Sequence, residues 1–345
     1  MHPQHVPLTL IFPAVCVAQL PISTLFQVDF SGSANGGCIN PGETALNNQA
    51  VDSLTLANAG VALLQATSGN NEAANRLVDA FFRSPSIGSR KQIQRNFQTV
   101  ADFISKNTLT SAVTGGKPWL FCDSNWVTRV VNGNTLTKTS IAWDKNGPGN
   151  EVKDNSGNPM TIYQVYKPLW DKLQSEFGKK QVFPYWSSRY NSYILDQTYN
   201  GINNGYCSAA DSVGVTQSQT QPPSVTLCNR AYAAGSRVTI PATVNTVPIA
   251  TIEAGTPNSA STLGDFIASA NPVTLYHELF HLLLGTGNTP DAAYPVADML
   301  LLTTDQAVAN PETYVATSYA WLLTTQLAQV NGQPVEFFTG FATAG

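Results

Sequence analysis

Residues 271–284 read NPVTLYHELFHLLL, and the fold that we expect for the chain follows from this sequence. Asn271 followed by Pro272 is a typical helix start, because Asn caps the first turn and Pro fits the first helical position. Apolar residues continue to Leu284, and Gly285 is typical of a helix end. The stretch therefore predicts one buried helix.

This helix would carry His277, Glu278 and His281. Residues four apart share a helix face, so both imidazoles can bind one ion. Catalytic zinc takes three protein ligands and leaves a position for water, and a glutamate beside the first histidine can accept a proton from that water. The pattern predicts His277 and His281 as zinc ligands and Glu278 as the general base. The alternative is an accidental pair of histidines on a buried helix.

The third ligand is expected to be a carboxylate, because neither histidine nor cysteine follows His281. Asp291 follows a Gly-rich turn, 285–290, that could fold back over the helix end. Glu312 would be the third ligand if a glutamate on a later helix completes the zinc site. Both carboxylates are candidates on this reasoning, whereas the remaining ones are typical of helix caps and solvated faces: Asp298, Asp305 and Glu336.

The segment 287–294, GNTPDAAY, resembles the Gly-Thr-x-x-Asp-x-x-Tyr-Gly segment of the deuterolysin (aspzincin) family of secreted fungal zinc metalloproteases. The stretch 310–314, NPETY, is similar to the family's Asn-Ala-Asp-x-Tyr. Three cysteines also have positions similar to those in the family: Cys38 before a long helix, Cys122 after the helical region and Cys228 before the catalytic helix. In this chain the loop from His281 to the aspartate is shorter.

The resemblance implies a zincin-like fold, with Asp291 as the third zinc ligand and Tyr294 beside the site. Position 312 is not a ligand in that family. Tyr294 or Tyr314 could donate a hydrogen bond to the oxyanion that forms during peptide hydrolysis, and the alternative for either tyrosine is a structural role. The expected function is a secreted zinc endopeptidase, and the alternative is a secreted zinc-binding protein that does not cleave peptides.

The rest of the chain predicts an α+β fold, with a mainly helical core and a small sheet beside the active-site helix. Residues 119–143 alternate as in strands around a turn at Asn132-Gly133, and 238–252 is typical of an edge strand or a loop along a cleft. We expect one domain, 19–345, with a helical part 42–110, an insertion-like segment 126–220 and a catalytic part 225–345. Further helices are expected at 42–67, 72–82, 91–104, 161–176, 296–309 and 311–329.

The N-terminus and the cysteines together indicate export. The apolar stretch 7–18 ends in small residues, as in a secretory signal peptide, which we place at 1–18. Cleavage of this signal peptide would remove Cys16 and leave four cysteines. An even number in an exported chain indicates two disulfides rather than free thiols. Spacing favours Cys207–Cys228, and the other pair is then Cys38–Cys122.

The charge of the chain is unevenly distributed. All 18 Lys and Arg lie at or before Arg237, whereas the part from Val238 onward contains only carboxylates among its charged side chains. Such a field favours cations, a metal ion first and then basic protein or peptide substrates, and it disfavours nucleic acid. No apolar run has the length that a membrane-spanning helix needs.

Overall fold

The structure, a computed structural model, describes residues 19–178, 181–202, 205–209, 212–232, 238, 240–241, 243–255, 257, 259–268, 273–331 and 334–344. The predicted signal peptide 1–18, which includes Cys16, lies outside these residues, and so do Asn271 and Pro272. The fold is α+β, with about 46% helix and several small sheets. The expected α+β class is confirmed.

Most predicted helices are present, and one is divided. The region 296–309 forms two helices because the Thr303 side chain accepts a hydrogen bond from the Gln306 N–H and so caps a new helix. The described helices are α1 (Ile22–Leu25), α2 (Glu43–Ser68), α3 (Glu72–Phe82), α4 (Ile87–Lys106), α5 (Ile162–Glu176), α6 (Ile249–Glu253), α7 (Leu263–Ala268), α8 (Val273–Leu284), α9 (Val296–Met299), α10 (Thr304–Ala309) and α11 (Pro311–Asn331).

Helix α8 lies inside the main core, where all its residues from Thr274 to Leu283 are buried. Its apolar side chains pack against α2, α4 and α11. The Phe280 ring lies 6.3 Å from that of Phe97 on α4 and 4.6 Å from that of Tyr314 on α11. The helix that carries the motif is therefore held by three others.

A small sheet lies beside α8, as expected. Its strand order is β1–β7–β6, with β1 parallel and β6 antiparallel to β7, so β6 is an edge strand. Strands β6 and β7 contact α8. The described strands are β1 (Trp119–Phe121), β2 (Val130–Val131), β3 (Asn134–Thr135), β4 (Val182–Ser187), β5 (Ser192–Gln197), β6 (Gly214–Gln217), β7 (Ser224–Leu227), β8 (Val335–Glu336) and β9 (Thr343–Ala344).

Two strand predictions have different outcomes. Asn132 and Gly133, both with positive φ, form the predicted turn between β2 and β3. Of the edge strand and the cleft loop considered for 238–252, the described part contains neither: only Val247 makes an isolated bridge, and none of these residues lines the cleft. Pro248 then precedes α6, because a proline that lacks an N–H and has a fixed φ suits a helix start better than a ladder.

The segment 126–220 divides between two parts of the fold. Helix α5 and the β4–β5 hairpin surround a separate apolar cluster that includes Trp170, Trp186 and Tyr193. Strand β6, near the end of the same segment, belongs instead to the sheet beside α8. The segment 126–220 is therefore not one structural unit: the hairpin region has its own apolar cluster, whereas β6 belongs to the sheet beside α8.

Both predicted disulfides are present. Cys38–Cys122 joins the segment before α2 to the residue after β1, and Cys207–Cys228 joins the loop before β6 to the residue after β7. Such bonds are typical of proteins from oxidising compartments such as the extracellular space. Among the described residues, none of the helices has the length and apolar character that crossing a membrane requires.

Candidate metal centre

Three side-chain atoms converge at one face of α8. The Nε2 atoms of His277 and His281 lie 3.0 Å apart. The Oδ1 atom of Asp291 lies 3.2 Å from Nε2 of His277 and 3.1 Å from Nε2 of His281. Both histidines are buried, and the Asp291 side chain is 34% exposed. The three atoms therefore form a nearly equilateral triangle that is open on the side of Asp291.

This triangle fits a tetrahedral metal ion. An ion about 2.05 Å from each atom would lie about 1 Å from the plane of the triangle, with angles of about 100° between ligands. These angles are near the tetrahedral value and leave a fourth position free. The residues His277, His281 and Asp291 could therefore hold a metal ion.

A short turn brings Asp291 back to the helix. Gly285 ends α8 with φ of 89°, a left-handed conformation that a side chain would disfavour. A 3-10 turn at Thr286–Asn288 follows, and the Asn288 side chain donates to the Leu284 carbonyl at 2.9 Å. The predicted reversal of the Gly-rich segment is thus present.

Asn310 fixes the loop beyond Asp291. Its Oδ1 accepts hydrogen bonds from the N–H groups of Ala292 and Ala293, at 3.1 and 3.4 Å. Its Nδ2 donates to the Ala293 carbonyl and to the Thr313 hydroxyl, each at 3.0 Å. Because Asn310 is fully buried just before α11, it attaches the metal-site loop to a core helix.

Each histidine has a partner for its other ring nitrogen. Nδ1 of His277 lies 2.8 Å from Oε2 of Glu312, and Nδ1 of His281 lies 2.9 Å from the Thr289 hydroxyl. The Thr289 hydroxyl donates to the Gly285 carbonyl, so it accepts the proton of His281. In a neutral imidazole, a partner of this kind favours the proton on Nδ1 and leaves Nε2 available to a metal.

Glu312, the other candidate for the third ligand, has a different role. It is in the first turn of α11, where a carboxylate stabilises the helix N-terminus. Its carboxylate, however, contacts Nδ1 of His277 rather than Nε2, and so it supports a candidate ligand from behind. Asp291, and not Glu312, faces the point where both Nε2 atoms meet.

The pKa values reflect a strongly negative site. Burial alone would lower the pKa of His277, but its hydrogen bonds to Asp291 and Glu312 outweigh burial and raise the pKa to about 10. Burial alone would raise the pKa of Asp291, but hydrogen bonds from the two histidines hold it well below its usual value. The same negative surroundings would favour a metal cation.

Glu278 lies beside this group and is 5% exposed. Its Oε2 accepts a hydrogen bond of 2.7 Å from the Thr216 hydroxyl of β6. The same cleft is lined by Glu278 and by the three candidate metal ligands. The carboxylate proposed as the base thus shares one space with the candidate metal ligands.

The two tyrosines considered for the oxyanion occupy different surroundings. The Tyr294 ring lies nearly parallel to that of His277, with centroids 5.8 Å apart, and it lines the cleft. Tyr314 is buried, accepts a hydrogen bond from Asn96 and donates one to the Val308 carbonyl. Tyr314 is therefore a core residue, and its suggested contact with an oxyanion is wrong.

The cleft has a volume of about 1360 Å³. Besides the α8 side, its lining includes β6 and, from the hairpin region, Phe183, Thr198 and Tyr199. Of the carboxylates after Val238, only Glu278, Asp291 and Glu312 line it, and Arg230 is its one fixed positive charge among the described residues. The acidic excess of the C-terminal third is thus mostly outside the cleft.

Sequence reasoning missed several supporting residues: Thr216, Thr289, Asn310 and Glu312 as a histidine partner. The Thr two residues before Asp291 is a local signal for Thr289, and the Asn-Pro-Glu helix start is one for Asn310 and Glu312. Neither signal identifies the residue that each of these side chains contacts. Comparison of the chain with protein-family models, with curated proteins and with solved structures gives no match.

Proposed function

We propose that the protein is a secreted, zincin-like zinc endopeptidase that binds its metal through His277, His281 and Asp291. The observation that carries this proposal is the convergence of three ligand atoms within 3.2 Å of one another, in a cleft that also contains the Glu278 carboxylate. A site for structural zinc usually has four protein ligands and needs no neighbouring base.

The donor set favours zinc among the common divalent ions. Two imidazole nitrogens and one carboxylate oxygen in a tetrahedral arrangement suit zinc, whereas calcium and magnesium prefer six or more oxygen ligands. The resemblance of residues 287–294 to the aspzincin segment supports the same choice. Secretion is supported by the signal-like residues 1–18 and by the two disulfides.

Bound zinc would polarise the scissile carbonyl and lower the pKa of the attacking water. Glu278 would accept the proton that this water loses as its oxygen bonds to the carbonyl carbon. The same carboxyl would then pass the proton to the amine nitrogen as the carbon–nitrogen bond breaks. Glu278 thus ends the reaction ionised, ready for another substrate.

Tyr294 would stabilise the oxyanion. Partial burial of the Tyr294 side chain and the negative charge of Asp291 both raise the pKa of its hydroxyl above the usual value, so the hydroxyl stays protonated at neutral pH. A protonated hydroxyl at the cleft surface can donate a hydrogen bond to an oxygen that gains negative charge. At 57% exposure the residue is also within reach of a bound substrate.

The test combines metal content with hydrolysis of casein. Purified protein should contain about one zinc per chain and lose activity when a chelator removes it. His277→Ala and Asp291→Ala should lose zinc, whereas Glu278→Gln should keep zinc and lose hydrolysis. Asp298→Ala is the matched control, because this exposed carboxylate lies outside the cleft lining.

Two outcomes would contradict the proposal. Full activity in metal-free protein would exclude the mechanism. Wild-type protein that holds zinc but cleaves no protein or peptide would favour the alternative, a secreted zinc-binding protein on the same scaffold.

A further inference from the structure

Strand β6 approaches α8 unusually closely at Gly214. A Cβ atom at this position would lie 2.8 Å from Oε1 of Glu278 and 2.8 Å from Cγ2 of Thr274. Contacts this short do not occur between unstrained atoms, so any side chain here would displace the strand or the carboxylate. A glycine is therefore required for β6 to lie directly against Glu278.

Two residues further on, Thr216 makes the only hydrogen bond to the Glu278 carboxylate from the described residues. Its hydroxyl lies 2.7 Å from Oε2 and 3.1 Å from the backbone carbonyl oxygen of Glu278. A hydroxyl has one proton, and an ionised carboxylate accepts it more strongly than a carbonyl does. The Thr216 proton therefore goes to Oε2 when Glu278 is ionised.

The other carboxylate oxygen, Oε1, has no hydrogen-bond partner among the described residues, and Glu278 lines the cleft. A carboxylate that is held through one oxygen has a defined orientation. A base needs such an orientation in order to accept a proton from a water at a fixed distance.

We propose that Thr216 is a positioning residue for the general base, and that Gly214 provides the space that this contact needs. Thr216 holds Oε2 of Glu278 so that Oε1 faces the attacking water and receives its proton. The proton later leaves from Oε1 to the amine, and Thr216 keeps its bond to Oε2 throughout. This role depends on the proposed metal-assisted hydrolysis.

The test compares Thr216→Val, which keeps the branched shape and removes the hydroxyl, with Thr216→Ser, which keeps the hydroxyl. Loss of a hydrogen bond to a charged group should lower kcat by roughly 10- to 100-fold in Thr216→Val. KM should change less than about twofold, and zinc content should stay the same, because the hydroxyl of Thr216 bonds to Glu278 and to none of the three candidate metal ligands. Thr216→Ser should recover most of the wild-type kcat, and Gly214→Ala should resemble Thr216→Val.

A second measurement does not need peptide cleavage. Acetohydroxamate binds to a catalytic metal ion and gives up a proton, which the base Glu278 would accept. With cobalt in place of zinc, its affinity can be followed in the visible spectrum. We expect roughly 10-fold weaker binding in Thr216→Val and near-normal binding in Thr216→Ser.

The outcomes separate this role from the proposed function. Equal kcat and equal acetohydroxamate affinity in Thr216→Val and wild-type protein would overturn the positioning role, and so would a Thr216→Ser variant as impaired as Thr216→Val. If the affinities differ as expected but wild-type protein cleaves no peptide, Thr216 positions Glu278 and only the peptidase proposal fails.

Discussion

Oε2 of Glu312 lies 2.8 Å from Nδ1 of His277, although the two residues are on different helices and 35 positions apart. A carboxylate accepts a proton from Nδ1, so in the neutral form of His277 this contact leaves Nε2 available to a metal. Helix α11 is thereby connected to the candidate metal site, although it contributes no ligand.

We expect Glu312→Ala to weaken zinc binding by about 10- to 100-fold, as is typical when the carboxylate partner of a histidine ligand is removed. Competition with a zinc chelator measures the affinity. Glu253→Ala is the control, since Glu253 is an exposed carboxylate outside the cleft lining. Similar affinities in the two variants would restrict Glu312 to a role at the helix N-terminus.

Asn310→Ala should affect both the fold and the metal site. The buried amide makes four hydrogen bonds, and its loss should lower the free energy of unfolding by about 1–3 kcal/mol. Since Asn310 holds the loop after Asp291, zinc affinity should fall as well. Urea unfolding and chelator competition measure the two effects.

Asn288→Ala is the matched control, because Asn288 is an exposed residue of the same loop with a bond to the Leu284 carbonyl. Equal zinc affinity in the Asn310→Ala and Asn288→Ala variants would mean that Asn310 does not help to position Asp291.

Tyr294→Phe should lower kcat by about 100-fold while KM and zinc content stay nearly unchanged. Phenylalanine can keep the ring contact with His277 and loses only the hydroxyl. The steady-state constants on a fluorogenic peptide measure the effect. An unchanged kcat would leave Tyr294 with only a packing role.

The two disulfides should contribute differently to stability. Removal of Cys38–Cys122, which closes the longer loop, should cost about 4.5 kcal/mol, against about 3.3 kcal/mol for Cys207–Cys228, because a longer loop has more entropy to lose in the unfolded chain. Urea unfolding of the two double Cys→Ala variants measures both. Equal losses would mean that strain or residual structure outweighs loop length.

Substrate charge should matter less than the acidic C-terminal third suggests. With a divalent cation bound, the charges of the three cleft carboxylates and Arg230 balance. Arg230→Glu should therefore raise the rate of cleavage of a Lys-rich peptide relative to a Glu-rich one. The expected effect on the rate is about fourfold for each substrate charge that lies about 10 Å from residue 230. This preference should weaken as salt is added.

The control is Lys91→Glu, which makes the same charge change on an exposed residue of α4 outside the cleft lining. If both variants change the ratio of rates equally, net charge and not the cleft controls substrate choice. A strong preference of the wild-type protein for basic peptides would support the expectation drawn from the sequence.

Local patterns in the sequence predicted much of this protein. The spacing of His277 and His281 places them on one helix face because helix geometry is set by neighbouring residues. The same holds for the end of α8 at Gly285, for the turn at Asn132-Gly133 and for most helices. The cysteine count and spacing predicted both disulfides, since few pairings of four cysteines exist.

Only the tertiary structure decided which residues support the candidate site. Thr216 lies 62 positions from Glu278 and Glu312 lies 35 from His277, so each pair meets through the packing of β6 or α11 against α8. Tyr294 and Tyr314 were both candidates for a contact with the oxyanion, yet one lines the cleft and the other is in the core. Local periodicity fixes the direction of a side chain on its own element, whereas its partner depends on how distant elements pack together.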